Sequence, residues 1–187
     1  MNHNATCKQE IDGGYLWSPQ REKLNRSRAY DNMLRIQPND VIISYGRQQN
    51  SHFGLAAEIA RATPQPAEFG SKGEGWAKFG WFVPVQWTPL PKPVRHREFW
   101  EELSPLLPSY SPISFKTRSG NQKIYLAEVP GELFELLCRK GEVDHRTLLG
   151  PSALSLERSD PIGELEAAAQ VAIGADQSLD DTTRQRL

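Results

Sequence analysis

Two tryptophans set among glycines are the residues of this chain best suited to a chemical task. Trp17 lies in Gly13-Gly14-Tyr15-Leu16-Trp17-Ser18-Pro19, and Trp76 in Gly73-Glu74-Gly75-Trp76-Ala77-Lys78-Phe79-Gly80-Trp81. An indole flanked by residues without side chains can be reached by another flat object, whereas a core tryptophan is usually flanked by bulky apolar neighbours. Two such faces can sandwich a nucleobase drawn out of a duplex while polar groups read its edge. Each stacked base contributes roughly 1–3 kcal/mol and extrusion costs on the order of a few kcal/mol, so two walls can offset it. The competing reading keeps both tryptophans as core aromatics. Cations come next in order. Arg21, Lys23, Arg26, Arg28 and Arg35 crowd the segment after Trp17, and Lys92, Arg95, His96 and Arg97 form a second group. Both sets suit phosphate contacts, or ordinary solvated charge.

Catalytic signatures are missing from the sequence. It has no GxSxG elbow, no P-loop and no glycine-rich dinucleotide fingerprint. His3, His52, His96 and His145 lack zinc-site spacing, and Cys7 and Cys138 form no metal or disulfide pattern, so neither a metal nor a cofactor is expected. Asp40 and Glu58 with Lys78 would make a magnesium-dependent nuclease only on a loose reading, because single acids and bases on neighbouring strands are common. That reading stays open as an alternative.

The elements that must position these residues can be read coarsely. With 187 residues, 38% of them hydrophobic and 24% charged, the chain suits one globular domain with an appendage. No apolar run reaches membrane-span length, and the first residues lack a signal-peptide pattern, so a cytoplasmic, non-membrane protein is expected. Residues 1–150 carry 19 Lys+Arg against 16 Asp+Glu, while residues 151–187 carry 3 against 7, which places the acidity in the tail. Residues 1–12 read as a flexible polar arm, 13–150 as the folded domain, and 151–187 as a linker with a helix over 162–171. Strands are expected over 15–17, 41–45, 81–87 and 123–129, with Pro84 at an edge or bulge. Residues 52–60 read as a returning strand, with a helix as the alternative. Short helices are expected at 29–34, 98–107 and 131–139. The prolines and glycines of residues 62–80 read as a long loop, the sort of segment that usually carries function. Trp87 reads as core. The class is α+β.

Over roughly residues 12–140 the chain also resembles EVE-like domains of the PUA/YTH superfamily. The likeness rests on Gly14-Tyr15-Leu16-Trp17-Ser18-Pro19, Tyr30-Asp31-Asn32-Met33, Gln37-Pro38-Asn39-Asp40-Val41, Gly75-Trp76, Gly80-Trp81 and Gly120-Asn121-Gln122-Lys123-Ile124-Tyr125-Leu126-Ala127-Glu128, in that order and spacing. It is similar to the N-terminal specificity domain of EVE-HNH modification-dependent (type IV) restriction endonucleases. The resemblance implies a small curved or barrel-like mixed β-sheet flanked by short helices, with a modified base held in an aromatic cage. It implies Trp17 and Trp76 as opposing walls, with Ser18 at the base edge and Tyr30, Asn32, Phe69 and Trp81 nearby. Tyr30 and Trp81 serve equally well as packing residues. The implied partner is double-stranded DNA carrying 5-methylcytosine or 5-hydroxymethylcytosine; from the charge clusters above, Arg21, Lys23, Arg26, Arg28, Lys92, Arg95 and Arg97 are expected at its phosphates. Cutting of phage DNA would belong to a C-terminal HNH domain in a longer protein, with homodimerisation through that part left open. The paired histidines of such a domain are missing after residue 150, so this chain is expected to bind without cleaving. The YTH likeness leaves an RNA-binding reader as the alternative.

Overall fold

A computed structural model describes residues 1–144 apart from Asn4, Lys23, Leu24, Ser27 and Gln122, with the backbone alone for residues 22, 25, 26, 28 and 29. The elements are α1 (Cys7–Gly13), β1 (Tyr15–Pro19), β2 (Arg21–Glu22), β3 (Asn25–Arg26), α2 (Arg28–Asp31), β4 (Val41–Gly46), β5 (Gln49–Ala56), β6 (Arg61–Pro64), β7 (Phe79–Val94), α3 (Trp100–Leu103) and α4 (Gly131–Gly141). Five strands form a curled half-barrel in the order β1-β7-β5-β4, with β6 added to β7, and short helices flank it. All its ladders are antiparallel; a parallel bridge joins Asn2 to Tyr45 at the β4 edge. The expected α+β class and curved sheet are present. The chain divides at residues 148/149, and the expected linker of residues 151–187 lies outside the described residues.

β7 organises the sheet. Its first part, from Phe79 to Phe82, runs between β1 and β6, whereas Val85–Pro89 pairs with β5. Pro84 stands where the second partner changes from β6 to β5, so its missing N–H removes no ladder bond. It is therefore interior to the sheet, not on an edge as expected. Register shifts at Ile43/Tyr45 and Asn50/His52 mark bulges, which bend a sheet.

Alternation along β1 and β7 divides the apolar residues between two faces. Leu16, Val83 and Val85 point into a core with Met33, Ile36, Ile42 and Ala56, against which Trp81 and Trp87 pack. Trp87 is held there by a bond from its Nε1 to the Glu10 carbonyl oxygen at 3.1 Å, in line with its expected core role. The neighbouring residues Tyr15 and Trp17 face the other way and form a separate cluster with Phe69, Trp76 and Phe82. A third core joins Phe53, Leu90 and Val94 to α3 and α4 through Leu103, Leu133, Leu136 and Leu137.

Two sequence expectations are corrected. Residues 1–12 are not a flexible arm, because the Met1 nitrogen donates to Ile43 O, His3 N to Tyr45 O and Asn2 N to Tyr125 O, and α1 follows. The polar residues of this segment are buried and bonded to one another: Glu10 Oε2 accepts from Tyr125 Oη at 2.6 Å, Glu10 Oε1 accepts from Thr6 Oγ1, and His3 Nε2 meets Ser44 Oγ at 2.8 Å. Residues 123–129 do not form a ladder strand; a strand at that place would need a partner, and the bond from Asn2 touches it at one residue.

Candidate functional site

The cluster on the outer face of β1 is built from two pieces of chain. β1 supplies Tyr15 and Trp17, and the connection between β6 and β7 supplies Phe69 and Trp76. The Trp17 and Trp76 rings are near-parallel, with an interplanar angle of 17° and centroids 6.3 Å apart. Phe69 stands perpendicular to both, at 5.5 Å and 5.9 Å. One aromatic ring held between two walls needs them about 7 Å apart, twice the ~3.5 Å of optimal contact. The rings are near-parallel, but their centroids are closer than that and Trp17 is only 1% exposed, so the slot between them is closed.

Two glycines shape this arrangement. A Cβ on Gly80 would meet Trp17 Cε2 at 2.3 Å and Cζ2 at 2.4 Å, so the indole lies directly over the backbone there. Gly75, at φ +84° with open space around it, gives the chain beside Trp76 a conformation that side chains disfavour. The wall-bearing segment is fastened upstream. Tyr15 Oη donates to Glu68 Oε1 at 2.7 Å, and Gln65 Nε2 donates to Gly73 O at 2.9 Å. Burial, then the Glu68 carboxylate, raises the Tyr15 pKa well above that of an ordinary tyrosine, so it remains a donor at any physiological pH.

Orphaned polar atoms concentrate here. Trp17 Nε1, Ser18 Oγ, Thr63 Oγ1 and Trp81 Nε1 are all buried without a partner, and the register places them on adjacent strands: Ser18 opposite Trp81, Trp17 opposite Phe82, and Thr63 opposite Gly80. A buried group without a bond costs about 1–3 kcal/mol. Period-two alternation sorts the four. Thr63 shares the outer face with Trp17 and with Arg61, whose guanidinium carbon lies 4.8 Å above the Phe82 ring. Ser18 and Trp81 point to the inner face with Leu16 and Val83. Their side chains therefore stand across the sheet from the Trp17–Trp76 slot, away from the base-contacting place expected of them.

The remaining expected residues scatter. Phe69 is the third wall. Asn32 donates to Leu126 O at 2.8 Å and lines a separate cavity of about 430 Å³ with Arg35, Ile43, Tyr45 and His96; neither Trp17 nor Trp76 lines it. Burial lowers the His96 pKa to about 3, leaving a neutral ring bonded to Asn50. Tyr30 is half-buried on α2. Arg21 is exposed just past β1; Lys23 lies outside the described residues, as do the side chains of Arg26 and Arg28. Lys92, Arg95 and Arg97 are ten or more residues from Phe82, at or beyond the far end of β7. Lys92 pairs with Glu142 at 3.2 Å, and Arg97 donates to the Thr117 and Arg118 carbonyls. They do not belong to the surroundings of the slot. The cations that do are Arg61, Lys72 and Lys78, on or beside the segment that carries Phe69 and Trp76. Sequence reading weighed Lys78 only for a nuclease and passed over Arg61, Lys72 and Thr63, with β6 read largely as loop.

Among the described residues no group of three or more His, Cys, Asp or Glu side chains is placed to hold a metal, and no helix is long and apolar enough to cross a membrane. Asp40 Oδ2 accepts from the Gln37 backbone N–H and serves the turn before β4, while Glu58 is exposed beyond β5.

No family model and no curated protein matches the chain. Among solved structures, the NMR structure of Rpa0253 from Rhodopseudomonas palustris is similar over 76% of this chain and 90% of that chain, at 13% sequence identity and a TM-score of 0.49. A likeness of that degree carries no argument about function.

Proposed function

We propose that this chain is the recognition module of a modification-dependent DNA-targeting protein. It holds an extruded modified cytosine, 5-methylcytosine or 5-hydroxymethylcytosine, between Trp17 and Trp76. The near-parallel pair of rings carries the reading, together with the resemblance to EVE domains. Phe69 closes the third side. At the guest's edge stands Thr63 Oγ1, which can donate or accept, whereas Trp17 Nε1 points along the plane of its own wall and does not reach a base stacked on it. A pyrimidine edge presents a partner for such a hydroxyl, so the guest would satisfy an atom that the free protein leaves unpaired. Trp76, on its glycine-flanked segment, is the wall that moves to admit the base.

Phosphates flanking the guest meet Arg21, Arg61, Lys72 and Lys78. These contacts position the duplex without reading sequence, so binding should weaken steeply with salt. Cleavage would fall to an HNH domain elsewhere in a longer protein, the chain itself binding without cutting. Trp76→Ala removes one wall and leaves the phosphate contacts. We expect it to abolish the preference for modified over plain duplex, a loss of roughly five- to hundredfold for one stacking face, while weak salt-sensitive binding persists. Fluorescence anisotropy on matched duplexes reads this; equal loss on both DNAs would count against the cage.

A further inference from the structure

We infer that Phe79 is the wedge that enters the duplex where the recognised base leaves it. The inference rests on the base-extrusion reading above and names the residue that performs that step. Phe79 is 58% exposed, although it begins a strand paired on both sides. Its carbonyl accepts from Gln20 N, and across β6 it stands opposite Pro64. The backbone is therefore fixed while the ring projects into solvent. Among the described residues the ring makes no aromatic contact, unlike exposed Phe115, which meets Trp100 at 6.2 Å.

Its position argues for a task. Phe79 directly precedes Gly80, the residue over which Trp17 lies. The two positions face opposite sides of the same strand end. A duplex docked across that end meets the Phe79 ring on one side and the face that carries Trp17 on the other. Exposed Lys78 precedes Phe79, and exposed Arg21 follows the residue that bonds its carbonyl, so phosphate-binding charge brackets the ring. Apolar side chains that unstack base steps are a recurrent device, and a ring filling the vacated place restores stacking that the duplex would lose. The ligand class is thus paired DNA, as opposed to a free nucleotide or an already extruded base.

The wedge matters only while the target is paired. Three probes separate it from the cage: a duplex with one 5-hydroxymethylcytosine, the same duplex with an abasic site opposite that base, and the modified strand alone. For Phe79→Ala we expect binding to the intact duplex to fall about tenfold or more, with the other two probes changed by less than about twofold; Phe79→Leu should recover much of the loss. An equal change on all three probes, or no change on the intact duplex, overturns the wedge. Trp76→Ala should instead weaken all three. If it leaves the preference for modified DNA intact, the cage fails whatever Phe79 does. Circular dichroism of Phe79→Ala confirms the fold, which an exposed side chain should not disturb.

Discussion

Trp17 combines two properties that usually exclude each other, near-complete burial and an unpaired Nε1. A core tryptophan normally finds a partner for its N–H. Thr63 repeats the pattern across β7, on β6, for the residue is half-buried while its hydroxyl oxygen is buried and unpaired. If the Thr63 hydroxyl waits for a guest, Thr63→Val should separate stability from binding. Removing an unsatisfied hydroxyl while keeping the shape is expected to leave thermal stability unchanged or slightly higher, whereas affinity for the modified duplex falls about three- to tenfold, the worth of one hydrogen bond. Denaturation curves and anisotropy titrations on the same preparation check both halves; a stability loss above about 1 kcal/mol would mean that Thr63 already has a structural partner. The tryptophan pair itself was legible in the sequence, and Gly80 is the glycine whose backbone the Trp17 ring lies against, whereas Gly75 beside Trp76 faces open space. Ser18 and Trp81 were misplaced for a reason also present in the sequence. Next to Trp17 on a strand, Ser18 must face the opposite side.

At the level of elements, the strands with clean period-two or buried-type patterns, β1, β4 and the first half of β7, were readable. β6 was not. Pro64, Pro66 and the nearby glycines look like loop, yet an outer strand tolerates a terminal proline because it need not donate to a further neighbour. The N-terminal segment was missed because polarity reads as solvent exposure, whereas His3, Thr6 and Glu10 turn their polarity inward. That network sets a pH dependence. Burial opposes charging His3, but the Cys7 thiol and the Glu10 carboxylate, whose Oε2 lies 3.4 Å from His3 Nδ1, outweigh it and raise the pKa to about 9. Its folded value exceeds the unfolded value of about 6.5, so its stabilisation is complete below that pH and is lost as pH rises through 9. His96 has the opposite sign: with a folded pKa of about 3, its contribution holds above about 6.5 and disappears as pH falls towards 3. The buried Met1 amino group, lowered from 8.0 to about 5, adds a contribution that is lost as pH falls below 8. Melting temperature should therefore be highest near neutral pH and drop by roughly several °C on either side. His3→Gln lowers the whole curve by unpairing Glu10, and it should flatten the alkaline limb between pH 7 and 9. An alkaline limb that survives the substitution would assign it to another group.

At the scale of the whole molecule, the described unit is a half-barrel with one aromatic slot on its outer face and cations on the segment that closes it. The second basic group, Lys92, Arg95 and Arg97, shows the limit of reading charge by proximity in sequence. A sixteen-residue strand carries it away from Trp17, and Lys92 is drawn to Glu142 and Arg97 to the carbonyls of residues 117 and 118. What the sequence could not show is which cations share a face with the tryptophans, because that depends on the β6–β7 register. The central claim is that the slot reads a base modification in duplex DNA. It is tested most directly by equilibrium binding of the 187-residue chain to otherwise identical duplexes carrying cytosine, 5-methylcytosine, 5-hydroxymethylcytosine, glucosylated cytosine or N6-methyladenine, with matched RNA alongside. The account predicts binding to 5-methylcytosine or 5-hydroxymethylcytosine DNA at least about tenfold tighter than to plain DNA, a margin that persists as salt weakens both. Equal affinity for all five duplexes, or tighter binding to modified RNA, would contradict it.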